Sequence, residues 1–419
     1  MLTSTFYFLT SNFISLDTFT LPNGLRIIHL PVDSPVAYCG YAVNAGSRDE
    51  EKNEYGLAHF VEHTLFKGTL HRKSRHILNR MENVGGELNA YTSKESTFVY
   101  SSFLAKDMER AVELLTDLAV NSQFPEKEID KEREVVLDEI QTYEDTPSDL
   151  IFDDFDNMIF EGHPLGHHIL GDRRSLKSFK TATGKSFLDR YYTADNMVFF
   201  TMSSHDFKYI RRLAEKYISA VPAHKSAIKR IEPHAVASVA QTKKKKTHLS
   251  HVVIGGQAFN MYDERRFHLF LLNNILGGPG MNNRLNISLR EKHGLVYTVE
   301  SSIVSYTDCG IFSIYFGTDH KHCDFAVSLV EKELKALRDT KLTDLQIAAA
   351  KKQAIGQLGV ASDSRENTFL GLGKSFLYHN RYMLLPEIFR NIEAVTPSQI
   401  LEAANAVFHP DRLSRLVFE

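Results

Sequence analysis

YTSKESTFVYSSF, residues 91–103, is rich in Thr, Tyr, Phe and Val around a short polar stretch, as the two strands of a β-hairpin are. YTVESSIVSYTDCGIFSIYF, residues 297–316, has the same character, and the two stretches look like copies of one hairpin. The elements around them recur in the same order, with helices predicted over residues 105–120 and 325–338. The chain is therefore predicted to be α+β, with two tandem homologous domains, each a mostly antiparallel sheet with helices packed on one face.

The boundary between the two domains is marked by a change of pattern. Between residues 221 and 250 the strand and helix patterns stop, and two prolines and a lysine run (243–246) take their place. We predict an N-terminal domain over residues 1–222, a linker over 223–248 and a C-terminal domain over 249–419. The lysine run fits a nucleic-acid patch or a solvated linker face, and the near-neutral chain favours the linker face.

Charge and cysteine content exclude several classes of protein. The 49 Lys and Arg residues against 52 Asp and Glu give a net charge of −3, so no overall field attracts nucleic acid or an anionic membrane. The three cysteines, Cys39, Cys309 and Cys323, are scattered and odd in number. They fit neither a disulfide framework nor a four-cysteine zinc knuckle, and they are typical of a reducing compartment.

Apolar segments give no sign of a membrane protein. No run of 18 apolar residues offers a spanning helix. The apolar N-terminus has no Lys or Arg before Arg26 and no small-residue cleavage site, so we expect no signal peptide and a cytoplasmic location. For residues 1–14, an extension or a misassigned start is an open alternative.

HFVEH, residues 59–63, lies inside a helix predicted over residues 56–66. His59 and His63 are four apart, so they lie on one face of that helix and can offer imidazole nitrogens to one ion. Glu62 lies beside that ion site, where a carboxylate can accept a proton from water. The order His-x-x-Glu-His is a metallopeptidase signature, although two histidines one turn apart also occur on ordinary polar helix faces.

A catalytic zinc site needs a third protein ligand, and a second predicted helix supplies candidates. KEIDKEREVVLDEIQTYED, residues 127–145, carries Glu132 and Glu139, which are two turns apart on one half-apolar face. A carboxylate on such a face is costly unless it is paired or bound to a metal. The alternative is that both glutamates point to solvent.

The spacing of these residues resembles the pitrilysin/insulinase metallopeptidases, in the half-size bacterial type that is similar to the mitochondrial processing peptidase beta subunit. HFVEH is followed after 139 − 63 = 76 positions by Glu139 in EREVVLDEI. The resemblance implies that His59, His63 and Glu139 bind one Zn2+ per chain and that Glu62 activates water. It implies that Glu132 supports the site.

The same resemblance extends to the residues that contact the substrate. GGELNAYTSKESTFVY is similar to the family strand whose exposed edge receives the substrate backbone, which makes Asn89 and Ala90 substrate-binding residues. LREKHGLVYTVES is similar to the segment in which an arginine and a tyrosine reach the substrate and the scissile carbonyl, here Arg290 and Tyr297. Both can donate to a developing oxyanion. Without the resemblance they are a surface charge and a half-buried aromatic.

These features together predict a zinc-dependent endopeptidase that hydrolyses peptides or unfolded polypeptide segments inside a chamber. Family members build that chamber from four homologous domains, so the two domains here imply a homodimer that forms a clamshell. Two alternatives are a non-catalytic peptide-binding or structural subunit and a catalytic subunit that needs a separate partner. Asp149 and Asp153, four apart on a predicted helix, fit either a preference for basic substrates or a solvated acidic face.

A cluster of histidines elsewhere in the chain is given no catalytic role. His163, His167 and His168 lie in GHPLGHHILG, where a proline and glycines indicate a loop. We predict a capped turn there rather than a second metal site.

Overall fold

The computed structural model describes residues 16–234 and 237–419, so the open question about residues 1–14 lies outside the described residues. The strands of this part of the chain are β1 (Asp17–Thr20), β2 (Arg26–Pro31), β3 (Val36–Val43), β4 (Glu87–Thr92), β5 (Thr97–Leu104), β6 (Met197–Ser203), β7 (Ala240–Lys243), β8 (Ser250–Ala258), β9 (Val296–Ser305), β10 (Gly310–Thr318) and β11 (Ser414–Phe418).

The α-helices of the described residues lie between these strands along the chain. They are α1 (Leu57–Leu65), α2 (Ser74–Glu82), α3 (Met108–Asn121), α4 (Glu126–Glu144), α5 (Pro147–Ile159), α6 (Arg173–Ser178), α7 (Thr181–Tyr191), α8 (Phe207–Tyr217), α9 (Arg266–Gly277), α10 (Cys323–Asp339), α11 (Asp344–Ala361), α12 (Arg365–His379), α13 (Leu385–Ala394) and α14 (Pro397–Val407). A π-helical segment, Asn286–Lys292, lies between α9 and β9.

The two sheets have the same strand order. The first sheet runs β1-β2-β6-β3-β5-β4 and the second runs β7-β11-β8-β10-β9. Once β1 is set aside, each strand of one sheet has a counterpart in the other. The pairs β2·β6 and β7·β11 are parallel, and the remaining neighbours are antiparallel. The predicted α+β class with two tandem homologous domains is confirmed.

The repeated hairpins are β4–β5 and β9–β10, and each places its first strand at a sheet edge. Both turns have four residues and the same closing bond, from Ser93 N to Ser96 O and from Tyr306 N to Cys309 O, each 2.8 Å. The division at 1–222, 223–248 and 249–419 stays a prediction. β7 falls inside the predicted linker, because that segment adds an edge strand to the second sheet.

Local sequence accounts for the turn that opens the fold. β1 and β2 form an antiparallel hairpin around Asn23 and Gly24, as the Asn-Gly pair indicates. Gly24 has φ +94°, a conformation that side chains with a Cβ rarely adopt. The side-chain oxygen of Asn23 accepts a bond of 3.1 Å from the Leu25 N–H, which closes the turn.

Each half of the chain lends a helix to the sheet of the other half. α12, from the second half, covers the outer face of the first sheet, and its Phe369 stacks on Phe200 of β6 with ring centroids 4.4 Å apart. α5, from the first half, covers the second sheet, and its Phe155 is buried in one cluster with Val253 and Leu416. α3 packs on the other face of the first sheet, and α9 and α14 pack on the other face of the second, so this exchange gives each sheet a second covered face.

The described helices and cysteines agree with the composition. No helix among the described residues is both long and apolar enough to cross a membrane. Cys39, Cys309 and Cys323 are free thiols in buried positions.

Candidate metal centre

Three predicted ligands converge where α1 crosses α4. His59 and His63 lie one turn apart on α1, with ring centroids 4.5 Å apart. Glu139 Oε2 on α4 lies 3.7 Å from His59 Nε2 and 3.6 Å from His63 Nε2. Within residues 16–234 and 237–419, these are the one set of three His, Cys, Asp or Glu side chains whose ligand atoms all lie within 4.8 Å of one another.

The chemistry of this donor set fits a zinc ion. Two imidazoles and one carboxylate are a common catalytic zinc set, which keeps a further position open for water or substrate. Burial, and then the charge of His63, lower the pKa of His59 to about 3, which keeps it in the neutral form that binds metal. The Glu139 side chain is 41% exposed, so the ligand set opens towards solvent rather than into the core.

Glu132, which the resemblance implies supports the site, contacts the second histidine. Its Oε1 lies 2.9 Å from His63 Nδ1, and its Oε2 lies 2.7 Å from Lys67 Nζ. Burial alone would raise the pKa of Glu132, but the hydrogen bonds from His63 and Lys67 outweigh it and lower that pKa. A carboxylate that accepts from Nδ1–H leaves the Nε2 lone pair of His63 for the ion.

Sequence reasoning misses Lys67. It lies just beyond the end of α1, four positions after His63, and this spacing is the one signal that could have indicated it. Its ammonium group balances the charge of Glu132 and fixes the oxygen that His63 does not use.

Glu62 lies on α1 against the edge strand β4. Its Oε2 accepts a hydrogen bond of 2.6 Å from the hydroxyl of Thr92, the last residue of that strand. Burial raises the pKa of Glu62, and the bond from Thr92 opposes that rise without cancelling it. A carboxyl group with a raised pKa suits a base that must later return its proton.

A buried carboxylate holds the N-terminus of α1. Gly56, with φ +93°, begins the helix and carries no side-chain cap. Glu50 takes the place of the cap, accepting bonds from Gly56 N at 2.8 Å and Ala58 N at 2.7 Å. His167 Nε2 lies 2.9 Å from Glu50, and its ring stacks on Tyr55 at 3.9 Å. The predicted histidine loop therefore supports the helix that carries the ligands.

The other two loop histidines contact separate elements. His163 Nε2 lies 2.8 Å from a backbone oxygen of the predicted linker, at Ile231. His168 lies 3.5 Å from Asp154 and 3.9 Å from Asp153, both on α5. Each histidine of this loop thus ties a different part of the chain to it.

Asn89 and Ala90 lie on β4, which has a paired strand on one side only within the described part of the chain. They pair with Tyr100 and Val99 of β5, and both are half-exposed. Its other side pairs with no strand among the described residues, and α1 contacts β4. An extended peptide can pair with such an edge.

Arg290 and Tyr297 come together, but the cavity that they line is lined by none of the three ligands. The Arg290 guanidinium lies 5.8 Å from the Tyr297 ring centre, and both line a cavity of about 430 Å³ beside the Gly-rich turn 277–280. Tyr297 is 88% exposed rather than half-buried, because it lies on the edge strand β9. Among the described residues, no hydrogen bond or ion pair joins either side chain to Glu62 or the three ligands.

Comparisons with known proteins bear on this geometry. Residues 29–173 match the family model "Insulinase (Peptidase family M16)", and residues 184–354 match "Peptidase M16 inactive domain". The chain is 32% identical over 401 residues to the uncharacterized zinc protease YmxG of Bacillus subtilis, covering 95% of this chain and 97% of the relative. The chain belongs to peptidase family M16. The resemblance to pitrilysin/insulinase peptidases is confirmed, and the close match in length confirms the half-size type.

Further similar proteins agree with this assignment. An uncharacterized zinc protease of Rickettsia bellii is 30% identical over 403 residues, covering 95% of this chain and 96% of the relative. The crystal structure of a peptidase M16 inactive domain from Pseudomonas fluorescens superposes with a TM-score of 0.90 at 20% identity, covering 96% of this chain and 97% of that one. A protease from Helicobacter pylori gives 0.89 at 20% identity, covering 97% and 99%. At that identity the two structures establish the fold alone.

Proposed function

We propose that this M16 chain is a zinc-dependent endopeptidase that hydrolyses peptides or unfolded polypeptide segments. The observation that carries the proposal is the convergence of His59, His63 and Glu139 within 4.8 Å beside Glu62. The naming of its curated relatives as zinc proteases supports it.

The residues of the centre divide the chemistry among them. One zinc ion held by His59, His63 and Glu139 would supply Lewis-acid polarisation of the scissile carbonyl and a lowered pKa for water. Glu62 accepts the proton of the attacking water and passes it to the departing amide nitrogen. Glu132 holds His63 in the tautomer whose Nε2 faces the ligand site.

The edge strand defines the substrate. A peptide that lies along β4 as an added strand exposes its backbone to the centre, with Asn89 and Ala90 as contacts. A folded protein has few backbone groups free for such pairing, so the substrates are oligopeptides or unfolded segments. Asp149 is exposed on α5, whereas Asp153 faces His168, so a preference for basic residues rests on Asp149.

The assembly is a homodimer whose four domains enclose a chamber. In the part of the chain that the structure describes, Arg290 and Tyr297 make no polar contact with the centre, which favours their delivery to the substrate by a second copy. There they would donate to the oxyanion of the transition state. The buried free thiols suit a reducing compartment, so we place the enzyme in the cytoplasm.

The test is hydrolysis of a mixed peptide pool, read by mass spectrometry, for wild type and Glu62→Gln, before and after chelation with zinc restored. We expect that only the zinc-loaded wild type cuts and that Glu62→Gln still binds zinc. A wild type that binds zinc and cuts nothing favours a non-catalytic subunit or one that needs a partner. The native mass of the chain expressed alone separates a homodimer from a chain awaiting another protein.

The same pool tests the basic preference. Replacing Asp149 by Ala shifts the profile of cleavage sites away from basic residues if this carboxylate reads the substrate. An unchanged profile makes Asp149 part of a solvated acidic face.

A further inference from the structure

The hydroxyl of Thr92 donates a hydrogen bond to one carboxylate oxygen of Glu62. Thr92 Oγ1 lies 2.6 Å from Glu62 Oε2, well within hydrogen-bond distance. Within residues 16–234 and 237–419 this is the one side-chain hydrogen bond that Glu62 receives, and Oε1 has none. Among the described residues, one oxygen of this carboxylate is therefore fixed by a hydrogen bond and the other is not.

Thr92 is held in place by the hairpin that carries it. It pairs across the sheet with Thr97, whose hydroxyl donates a bond of 2.9 Å to Ala45 O. The next residues turn tightly, with Ser93 N bonded to Ser96 O at 2.8 Å. A threonine side chain has few rotamers, so its hydroxyl direction follows from this backbone.

We propose that Thr92 is a positioning residue for the general base: it anchors Oε2 of Glu62 so that Oε1 faces the attacking water. This inference rests on the peptidase function proposed above. It also gives the strand β4 two roles. β4 fixes the register of the bound peptide along Asn89 and Ala90, and its last residue fixes the base.

The side chain offers a matched set of variants. Thr92→Val keeps the shape and removes the hydroxyl, Thr92→Ser keeps the hydroxyl and removes a methyl, and Thr92→Ala tests loss of the hydroxyl without a β-branched side chain. Thr97→Val is the control, because it makes the same change directly across the hairpin, at a buried hydroxyl that bonds Ala45 instead of Glu62.

We expect Thr92→Val and Thr92→Ala to lower kcat about 10- to 100-fold, since a misplacement of about 1 Å in a reacting group can cost 100-fold. KM, zinc affinity and the thermal midpoint should stay near wild type, because neither the edge strand nor the ligands change. Thr92→Ser should keep kcat within about threefold, since the orienting bond survives. Thr97→Val should lower the thermal midpoint and leave kcat unchanged.

The measurements are kcat and KM on one peptide from the pool, together with zinc affinity and thermal midpoint, for all five proteins. Wild-type kcat in both Thr92→Val and Thr92→Ala overturns the inference and leaves the peptidase function standing. So does a Thr92→Ser variant as slow as Thr92→Val. A wild type that cuts no peptide overturns the proposed function itself, and the inference with it.

Discussion

Glu95 and Thr307 are hydrogen-bonded between the two halves of the chain. Glu95 Oε2 accepts from Thr307 N at 2.9 Å, and Oε1 accepts from the Thr307 hydroxyl at 2.7 Å. Arg48 donates to Glu95 at 2.5 Å and to Asp308 at 2.7 Å. Glu95 and Asp308 occupy the same position in the two four-residue turns. The turns of the two repeated hairpins therefore contact each other, and the guanidinium of Arg48 bridges the carboxylates of Glu95 and Asp308.

Removing Glu95 should destabilise the junction strongly. Glu95→Ala leaves Arg48 with the half-buried Asp308 as its carboxylate partner and leaves Thr307 without its acceptors. Loss of one partner of a buried pair costs about 3–5 kcal/mol, and we expect the lower end of that range because Asp308 remains. The measurement is the free energy of unfolding from urea titration. Glu215→Ala is the control, because Glu215 forms an exposed pair with Arg211 on α8, and such pairs contribute about 1 kcal/mol or less. Equal losses from the two variants would contradict the buried role of Glu95.

Glu132 should matter for zinc more than for folding. Glu132→Gln keeps the size of the side chain but loses the charge that orients His63 and pairs with Lys67. Loss of such a partner typically weakens metal binding about 10- to 100-fold. Competition with a chromophoric chelator measures the affinity, and Glu134→Gln, at an exposed position on the same helix, is the control. Wild-type affinity in Glu132→Gln would leave that residue without its assigned role.

Periodicity explains why the ligand set can be predicted from sequence. His59 and His63 share a face because a helix repeats every 3.6 residues, and the same rule brings Glu132 and Glu139 to one side of α4. The packing of α1 against α4 then needs only to bring these two helix faces together to form the ligand set. The Asn-Gly turn at Gly24 is local in the same sense, since its backbone conformation follows from the residues themselves.

Contacts between distant segments are what the sequence does not reveal. In the sequence, Thr92 looks like any threonine of a strand, and Lys67 looks like a surface lysine. Their contacts with Glu62 and Glu132 become visible only when β4 and α4 are seen packed beside α1. The exchange of α5 and α12 is hidden for a related reason. An apolar face on a helix such as that of Phe369 predicts burial, but it does not say which sheet provides the cover.

The exchanged helix α12 should contribute heavily to stability. Phe369 is fully buried and lies in one cluster with Phe200 of the first sheet. Phe369→Ala opens a cavity there, and such changes cost about 3–5 kcal/mol. Leu345→Ala, at a position on α11 that is 83% exposed, should change the free energy of unfolding by less than about 0.5 kcal/mol. If the Phe369 variant lost no more than the Leu345 variant, α12 would not hold the halves together.

The other exchanged helix carries a group that links stability to pH. Burial raises the pKa of Asp156 on α5 to about 7, against the opposing positive charges of Lys94 and His168. Asp153, on its own helix, adds a negative charge that raises that pKa further, and Tyr306 of the second half is also near. Below about pH 4 this carboxyl is protonated in both the folded and the unfolded chain, so it adds no pH dependence to the free energy of unfolding.

Between about pH 4 and pH 7 the folded chain alone keeps the proton, so the free energy of unfolding falls as pH rises, by at most about 1.4 kcal/mol per unit from this group. Asp156→Asn is neutral throughout, and we expect it to lose this contribution to the pH dependence and to unfold at a higher temperature than wild type at pH 8. Thermal midpoints from pH 5 to pH 8 measure it, with Asp363→Asn, at an exposed position, as the control. If Asp156→Asn and wild type lose stability in parallel from pH 5 to pH 8, the carboxyl of Asp156 is already ionised in the folded chain, and the packing of α5 on the second sheet accommodates its charge.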